Sequence, residues 1–193
     1  MKHFSIFLLM LFFLFVGKAQ SQSRWSADFA VGTHGVGTPF HNAPLSKGGM
    51  MLTGELQRNI GGLKNKSYFK VGLNLSFYSH RKLKNTVLIM PMISCRIGIG
   101  SVFVEPSLAL GYAGSILQKE TFVSDGSGNY TSYKNKWLSG FSAQPRLRLG
   151  ARINSTFDIY TQYSLQVEGL YHAMPVMPWQ SLQIGTTYRF HSF

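Results

Sequence analysis

The sequence predicts an all-β protein, an eight-stranded antiparallel transmembrane β-barrel after a cleaved N-terminal signal peptide. Three observations predict it. Apolar and polar residues alternate with a period of two in segment after segment, most clearly over residues 68–78, where Phe69, Val71, Leu73, Leu75 and Phe77 share one parity and Lys70, Gly72, Asn74 and Ser76 the other. The segments match the length a tilted strand needs to cross a bilayer, about 9–11 residues. An export signal precedes them, and no later stretch is long and apolar enough to be a spanning helix.

The export signal occupies residues 1–22. Lys2 and His3 lead into an apolar run over residues 6–16, and Gly17 and Ala19 put small side chains at the two positions a signal peptidase reads. Cleavage is expected after Ala19, which makes residues 1–19 the signal peptide and residues 20–193 the barrel domain. The apolar run is shorter than the roughly 20 residues of a membrane helix, and no cysteine follows the cleavage site to carry a lipid. Cys95 is the sole cysteine, so no internal disulfide forms and sheet closure must supply the constraint. It reads as a small residue packed in a strand.

Nineteen Lys and Arg face seven Asp and Glu, a net charge of +12. The basic residues are scattered, the chain is exported and no nucleic-acid motif is present, so nucleic acid is not an expected partner. Phosphates of lipopolysaccharide are the better match to this charge.

Each strand is read from its alternation. The first, residues 24–32, sets Trp25, Ala27, Phe29 and Val31 against Ser26, Asp28, Ala30 and Gly32. The second carries Leu52, Leu56 and Ile60 against Thr53, Glu55, Gln57 and Asn59. The third is the segment over residues 68–78. The fourth, residues 86–97, has apolar residues on both parities (Val87, Leu88, Ile89, Met90, Met92, Ile93), which predicts either apolar packing on both faces or a bulge near Pro91. In the fifth, Val102, Val104, Pro106, Leu108, Leu110 and Tyr112 oppose Phe103, Glu105, Ser107, Ala109 and Gly111. An insert over residues 115–139 follows, with a hairpin tip at residues 124–129. The sixth sets Phe141, Ala143, Pro145, Leu147 and Leu149 against Ser142, Gln144, Arg146, Arg148 and Gly150. The seventh sets Phe157, Ile159, Thr161, Tyr163, Leu165 and Val167 against Asp158, Tyr160, Gln162, Ser164, Gln166 and Glu168. The eighth sets Leu182, Ile184, Thr186, Tyr188 and Phe190 against Ser181, Gln183, Gly185, Thr187 and Arg189.

Connections read as long after the first, fifth and seventh strands, intermediate after the third, and short after the second, fourth and sixth. Such alternation separates short periplasmic turns from long external loops. The barrel's interior is just wide enough for side chains to fill it. Asp28, Glu55, Glu105, Asp158 and Glu168 are therefore expected to meet Lys70, Arg146, Arg148 and Arg189 there, because a buried charge left alone is costly. Trp25, Tyr68, Phe77, Tyr78, Tyr112, Tyr133, Trp137, Phe141, Trp179, Tyr188 and Phe190 lie near strand ends and are expected to form interfacial girdles.

The stretch M-P-M-I-S-C-R-I-G-I-G-S-V-F-V-E-P-S-L-A-L-G-Y, which spans the fourth and fifth strands, and the ending T-T-Y-R-F-H-S-F resemble the outer membrane protein β-barrel domain family that includes PorT-like proteins. The resemblance covers essentially the mature chain. It implies a Gram-negative outer-membrane barrel inserted by the barrel-assembly machinery, which reads the last strand and its aromatic end; Tyr188, Phe190 and Phe193 are the residues that match. It implies no shared catalytic residues.

Some small outer-membrane barrels modify lipid A or phospholipid, so nucleophile and base pairs matter. His34, His41, His80 and His172 read as loop residues. In Ser79-His80 and His191-Ser192 the paired side chains point to opposite faces of a strand, and no acid at suitable spacing completes a triad. No catalytic, cofactor or metal residues are expected, and no nucleotide, zincin or clustered-cysteine motif is present. The expected role is a structural or interaction barrel acting through its loops, in contact with outer-membrane lipid and an unidentified protein partner. The basic loop residues Lys47, Arg81, Lys82, Lys84, Lys119, Lys134 and Lys136 are the expected lipopolysaccharide contacts. A lipid-modifying enzyme and a soluble lipocalin-like barrel are the alternatives.

Overall fold

Strand pairing runs from the first long strand around to the last and back without an open edge. The computed structural model describes residues 25–36, 48–62, 67–80, 84–117, 121–124, 127–133, 137–169 and 177–190. Their strands are β1 (Trp25–Val36), β2 (Gly49–Gly62), β3 (Tyr68–His80), β4 (Lys84–Ile99), β5 (Val102–Leu117), β6 (Thr121–Ser124), β7 (Tyr130–Tyr133), β8 (Trp137–Arg152), β9 (Phe157–Gly169) and β10 (Met177–Arg189). The closed barrel has the order β1-β10-β9-β8-β5-β4-β3-β2, and β6 and β7 form a separate hairpin. All pairs are antiparallel. The predicted signal peptide lies outside the described residues.

The side-chain period of two sets the register. A slip of one residue would move every apolar side chain to the wrong face. Closure joins β1 to β10 from Ser26↔Arg189 to Val36↔Trp179. Between β2 and β3 the register shifts once, between Asn59 and Gly61. No shift occurs at Pro91, because Ile89↔Tyr112 and Met92↔Ala109 belong to one register. The ambiguous fourth strand thus resolves as a strand apolar on both faces. Leu88, Met90 and Met92 point inward and cluster with Met51, Tyr78, Ala109 and Ala113, while Val87, Ile89 and Ile93 are exposed.

Two turns show why the chain reverses where it does. Gly100 has φ +65°, which glycine adopts without a Cβ penalty, and with Ser101 it closes the β4–β5 hairpin at Ile99↔Val102. Between β8 and β9 the Asn154 Oδ1 accepts hydrogen bonds from the backbone N–H of Thr156 and Phe157, each at 2.8 Å.

The described strands run further than their alternation suggested, which changes one connection. Only residues 81–83 separate β3 from β4, fewer than the residues 63–67 between β2 and β3. The segment after the third strand, read as intermediate, is short because Lys84 and Asn85 already pair with His80 and Ser79. The other three connections at that end, residues 37–48, 118–136 and 170–176, are the long ones. The insert's tip falls where expected, between Ser124 and Tyr130.

Candidate functional site in the barrel lumen

Inward-facing residues from all eight barrel strands contribute polar and charged side chains to hydrogen-bonded groups in the lumen. At its centre, Arg148 Nη1 donates to Asp28 Oδ2 at 2.7 Å, Arg148 Nε donates to Gln162 Oε1 at 2.6 Å, and Arg148 Nη2 lies 2.6 Å from Glu55 Oε1. Arg146 pairs with the same Glu55 oxygen and donates through Nε to Ser107 at 3.1 Å. Gln57 Nε2 bridges Asp28 at 2.5 Å and Glu55 at 2.6 Å, and Asn74 donates to Glu55 at 2.9 Å. Each residue sits on the parity that its strand's alternation turns away from the apolar face.

Towards the end carrying the short turns, Glu105 accepts from Lys70 at 2.8 Å and from Arg96 Nε at 2.6 Å, with Arg148 3.3 Å away. Arg96 Nη1 donates to Asp158 at 2.5 Å, and Arg189 pairs with the other Asp158 oxygen. The Arg96 guanidinium also lies over the Phe103 ring, 3.8 Å from its centroid. Towards the loop end, Glu168 holds Lys84 and Tyr78 and accepts from Gln166 at 2.7 Å.

Desolvating this many charges is unfavourable, and mutual pairing with hydrogen bonds to the remaining lone pairs is what offsets it. Eight of the nine residues expected inside (Asp28, Glu55, Lys70, Glu105, Arg146, Arg148, Asp158 and Arg189) come together here, and the ninth, Glu168, faces the lumen at the loop end with Lys84 and Tyr78. Arg96 joins them although the sequence reading passed over it. Its signal was parity, since it shares a face with Ser94, and the apolar run before it on both faces hid that.

Five residues are placed differently from the sequence reading, among them His80, which was expected on a loop and is the last residue of β3, paired with Lys84. Lys84 is not a loop residue. It opens β4, is 6% exposed and pairs with Glu168, so it faces the lumen. Tyr78 and Trp179 do not stand in a girdle. Both are buried inside, their ring centroids 5.6 Å apart, and His34 packs against both, stacked on Trp179 with ring centroids 4.9 Å apart and 4.2 Å from Tyr78. His34 is likewise on β1 and buried, not on a loop, because it shares the parity of Asp28, Ala30 and Gly32. Its ring neighbours are Tyr78, Trp179 and His80, with the His80 centroid at 5.8 Å. Lys84 Nζ stands 4.9 Å from the Trp179 ring, so aromatic rings pack around an ion pair at this end of the lumen.

Of the other expected girdle residues, Trp25, Phe77, Tyr112, Trp137, Phe141, Tyr188 and Phe190 are exposed on the outside. Trp137 Nε1 donates to Tyr112 Oη at 3.0 Å, and Tyr188 makes edge contacts with Phe157 and Phe190 at 5.2 and 5.0 Å. Tyr68 is half-buried beside Lys70 and Arg96. Lys47, Arg81, Lys82, Lys119, Lys134, Lys136, His41, His172 and Phe193, and the Tyr133 side chain, lie outside the described residues. Among the described residues, no cluster of His, Cys, Asp and Glu has the makings of a metal site.

The chain matches no protein-family model and no curated protein. Among solved structures it is similar to Neisserial surface protein A, with TM-score 0.52 and 10% identity over 88% of this chain and 98% of that one. It is also similar to the outer membrane enzyme PagL, with TM-score 0.52 and 12% identity over 84% of this chain and 98% of that one. At such identities the likeness establishes the barrel fold.

Proposed function

We propose that this chain is an integral outer-membrane barrel of a Gram-negative bacterium whose interior is plugged by paired charges, and that it serves as a structural or interaction scaffold through its loops, without an open pore. The observation that carries this is the polarity of the two faces. Phe29, Leu56, Leu75, Ile89, Leu108, Leu147, Ile159 and Ile184, one from each barrel strand, are all exposed, from 41% at Leu108 to 62% at Ile184. A continuous apolar ring of this kind is a liability in water and a requirement in hydrocarbon. A soluble lipocalin-like barrel would carry the opposite arrangement.

The lumen argues against conduction. In an eight-stranded barrel side chains fill the interior, and here the filling groups are ion pairs at the loop end, the centre and the turn end together with the apolar cluster around Leu88, Met90 and Met92. Membership of the outer membrane protein β-barrel domain family that includes PorT-like proteins belongs to this reading, as do export with cleavage after Ala19 and insertion through the aromatic end at Tyr188, Phe190 and Phe193. Catalysis does not, since in the sequence no acid at suitable spacing completes a triad with a Ser-His pair. Lipopolysaccharide phosphates meet the basic loop residues Lys47, Arg81, Lys82, Lys119, Lys134 and Lys136, with Lys84 removed from that set by its ion pair.

The test is fractionation followed by reconstitution. The protein is expected in the outer-membrane fraction, extracted by detergent and not by buffer, with heat-modifiable gel mobility and no single-channel events in a planar bilayer. Extraction by buffer alone sinks the membrane assignment. Steady conductance sinks the plug, and a mass shift of lipid A on expression replaces the scaffold with an enzyme.

A further inference from the structure

The charges lining the lumen do not cancel, and the imbalance is localised. Among the described residues the inward cations are Lys70, Lys84, Arg96, Arg146, Arg148 and Arg189, against the acids Asp28, Glu55, Glu105, Asp158 and Glu168. At the loop end Lys84 and Glu168 balance, and at the centre Arg146 and Arg148 balance Asp28 and Glu55. At the turn end, three cations (Lys70, Arg96 and Arg189) share two acids (Glu105 and Asp158). The surplus positive charge is therefore at that mouth.

A recess opens there, of about 220 Å³ including its solvent-open mouth, lined by these three cations together with Ser26, Thr187 and Trp25. Four buried donor atoms on residues that line it have no hydrogen-bond partner among the described residues: Arg96 Nη2, Arg189 Nε, Ser26 Oγ and Thr187 Oγ1. Arg96, Ser26 and Thr187 are at most 5% exposed. Orphan donors on buried guanidinium and hydroxyl groups are costly, and an oxygen carrying negative charge is the partner that satisfies both kinds.

We propose that the turn-end mouth of the lumen binds one phosphate oxyanion, held by Arg96, Arg189, Ser26 and Thr187. The enclosed part of the recess is small, so the anion enters by an oxygen while the rest of it stays in the mouth. Trp25 lies at the rim with its side chain 42% exposed and the Arg58 guanidinium 5.8 Å from its ring, the setting an interfacial headgroup would meet. A phospholipid headgroup and free inorganic phosphate offer the same chemistry.

The experiment titrates inorganic phosphate into the purified full barrel in an uncharged detergent, with chloride at matched ionic strength as the control. The readouts are ³¹P line broadening and the unfolding temperature. Saturable binding beyond chloride is expected, weakened about tenfold by Thr187→Val and by Ser26→Ala, the loss of one hydrogen bond to a charged group. Both variants keep every ion pair, and heat-modifiable mobility confirms that they fold. Phosphatidylglycerol added at a few molecules per barrel identifies the source: displacement of phosphate marks the lipid headgroup as the ligand, and persistence marks the free anion, either result supporting the site. Phosphate acting no differently from chloride, or binding equally to the parent and both variants, overturns the proposal.

Discussion

Replacing Glu105 by Gln is the sharpest probe of the lumen. The carboxylate is 0% exposed, accepts from Lys70 at 2.8 Å and Arg96 Nε at 2.6 Å, and lies 3.3 Å from Arg148. Gln keeps the shape and removes the charge. Lys70 then loses its acid, because Glu105 is its ion-pair partner among the described residues, while Arg96 retains Asp158. Stranding a buried charge in this way costs about 3–5 kcal/mol. At a urea slope of about 2 kcal/mol per M, a loss near 4 kcal/mol lowers the unfolding midpoint by about 2 M. The assay is reversible urea unfolding of the reconstituted barrel followed by tryptophan fluorescence. A second variant, Glu105→Leu with Lys70→Met, removes both partners and is expected to recover part of the loss, since apolar replacement of a whole buried pair is often tolerated. Planar-bilayer recordings of Glu105→Gln should remain silent. A stability loss below about 1 kcal/mol, or a double variant weaker than the single one, refutes the view that pairing sustains this core.

Three further outcomes are expected. Leu75→Arg, at a 50% exposed position on the outer face of β3, should cost about 2–4 kcal/mol if it faces mid-bilayer; unfolding in lipid vesicles checks this, and an effect near zero would remove Leu75 from hydrocarbon. Lys84→Gln should lower the urea midpoint through the loss of its partner Glu168 and leave lipopolysaccharide binding unchanged, whereas Arg81→Gln with Lys82→Gln should weaken that binding; a pull-down with immobilised lipopolysaccharide separates the two. Gly100→Val forces a β-branched residue to φ +65° and should destabilise the barrel by at least about 1–2 kcal/mol, measured by the same urea titration.

Strand parity was legible in the sequence wherever polar and apolar residues alternate cleanly. In β3, β5, β8, β9 and β10 the row predicted to face outward does so. The face of Asp28, Glu55 and Arg148 followed from the same rule, because a period of two assigns a side without knowledge of the partner strand. Strand ends were not legible. Tyr78, Trp179 and His34 share the inner parity of their neighbours, yet proximity to a turn suggested a girdle or a loop, and only the pairing of His34 with Ser181 and of Tyr78 with Thr86 carries the ladder far enough to enclose them. Lys84 was lost the same way, among the basic residues of a connection that proves only three residues long. Arg96 was hidden because Met90 and Met92 supply apolar filling inside the lumen, so hydrophobicity alone could not say which face of β4 was which. The partners within the network were out of reach: Arg148 meets Asp28 across 120 positions of sequence, a contact that only closure creates.

That closure also governs how the molecule must be assembled. β1 and β10 stand at opposite ends of the chain yet complete each other's ladder from Ser26↔Arg189 to Val36↔Trp179. Until β10 is in place, β1 and β9 each present an unsatisfied row of amide groups, open to pairing with any extended strand nearby. A chain shortened before residue 177 would therefore leave two sticky edges where the closed barrel has none.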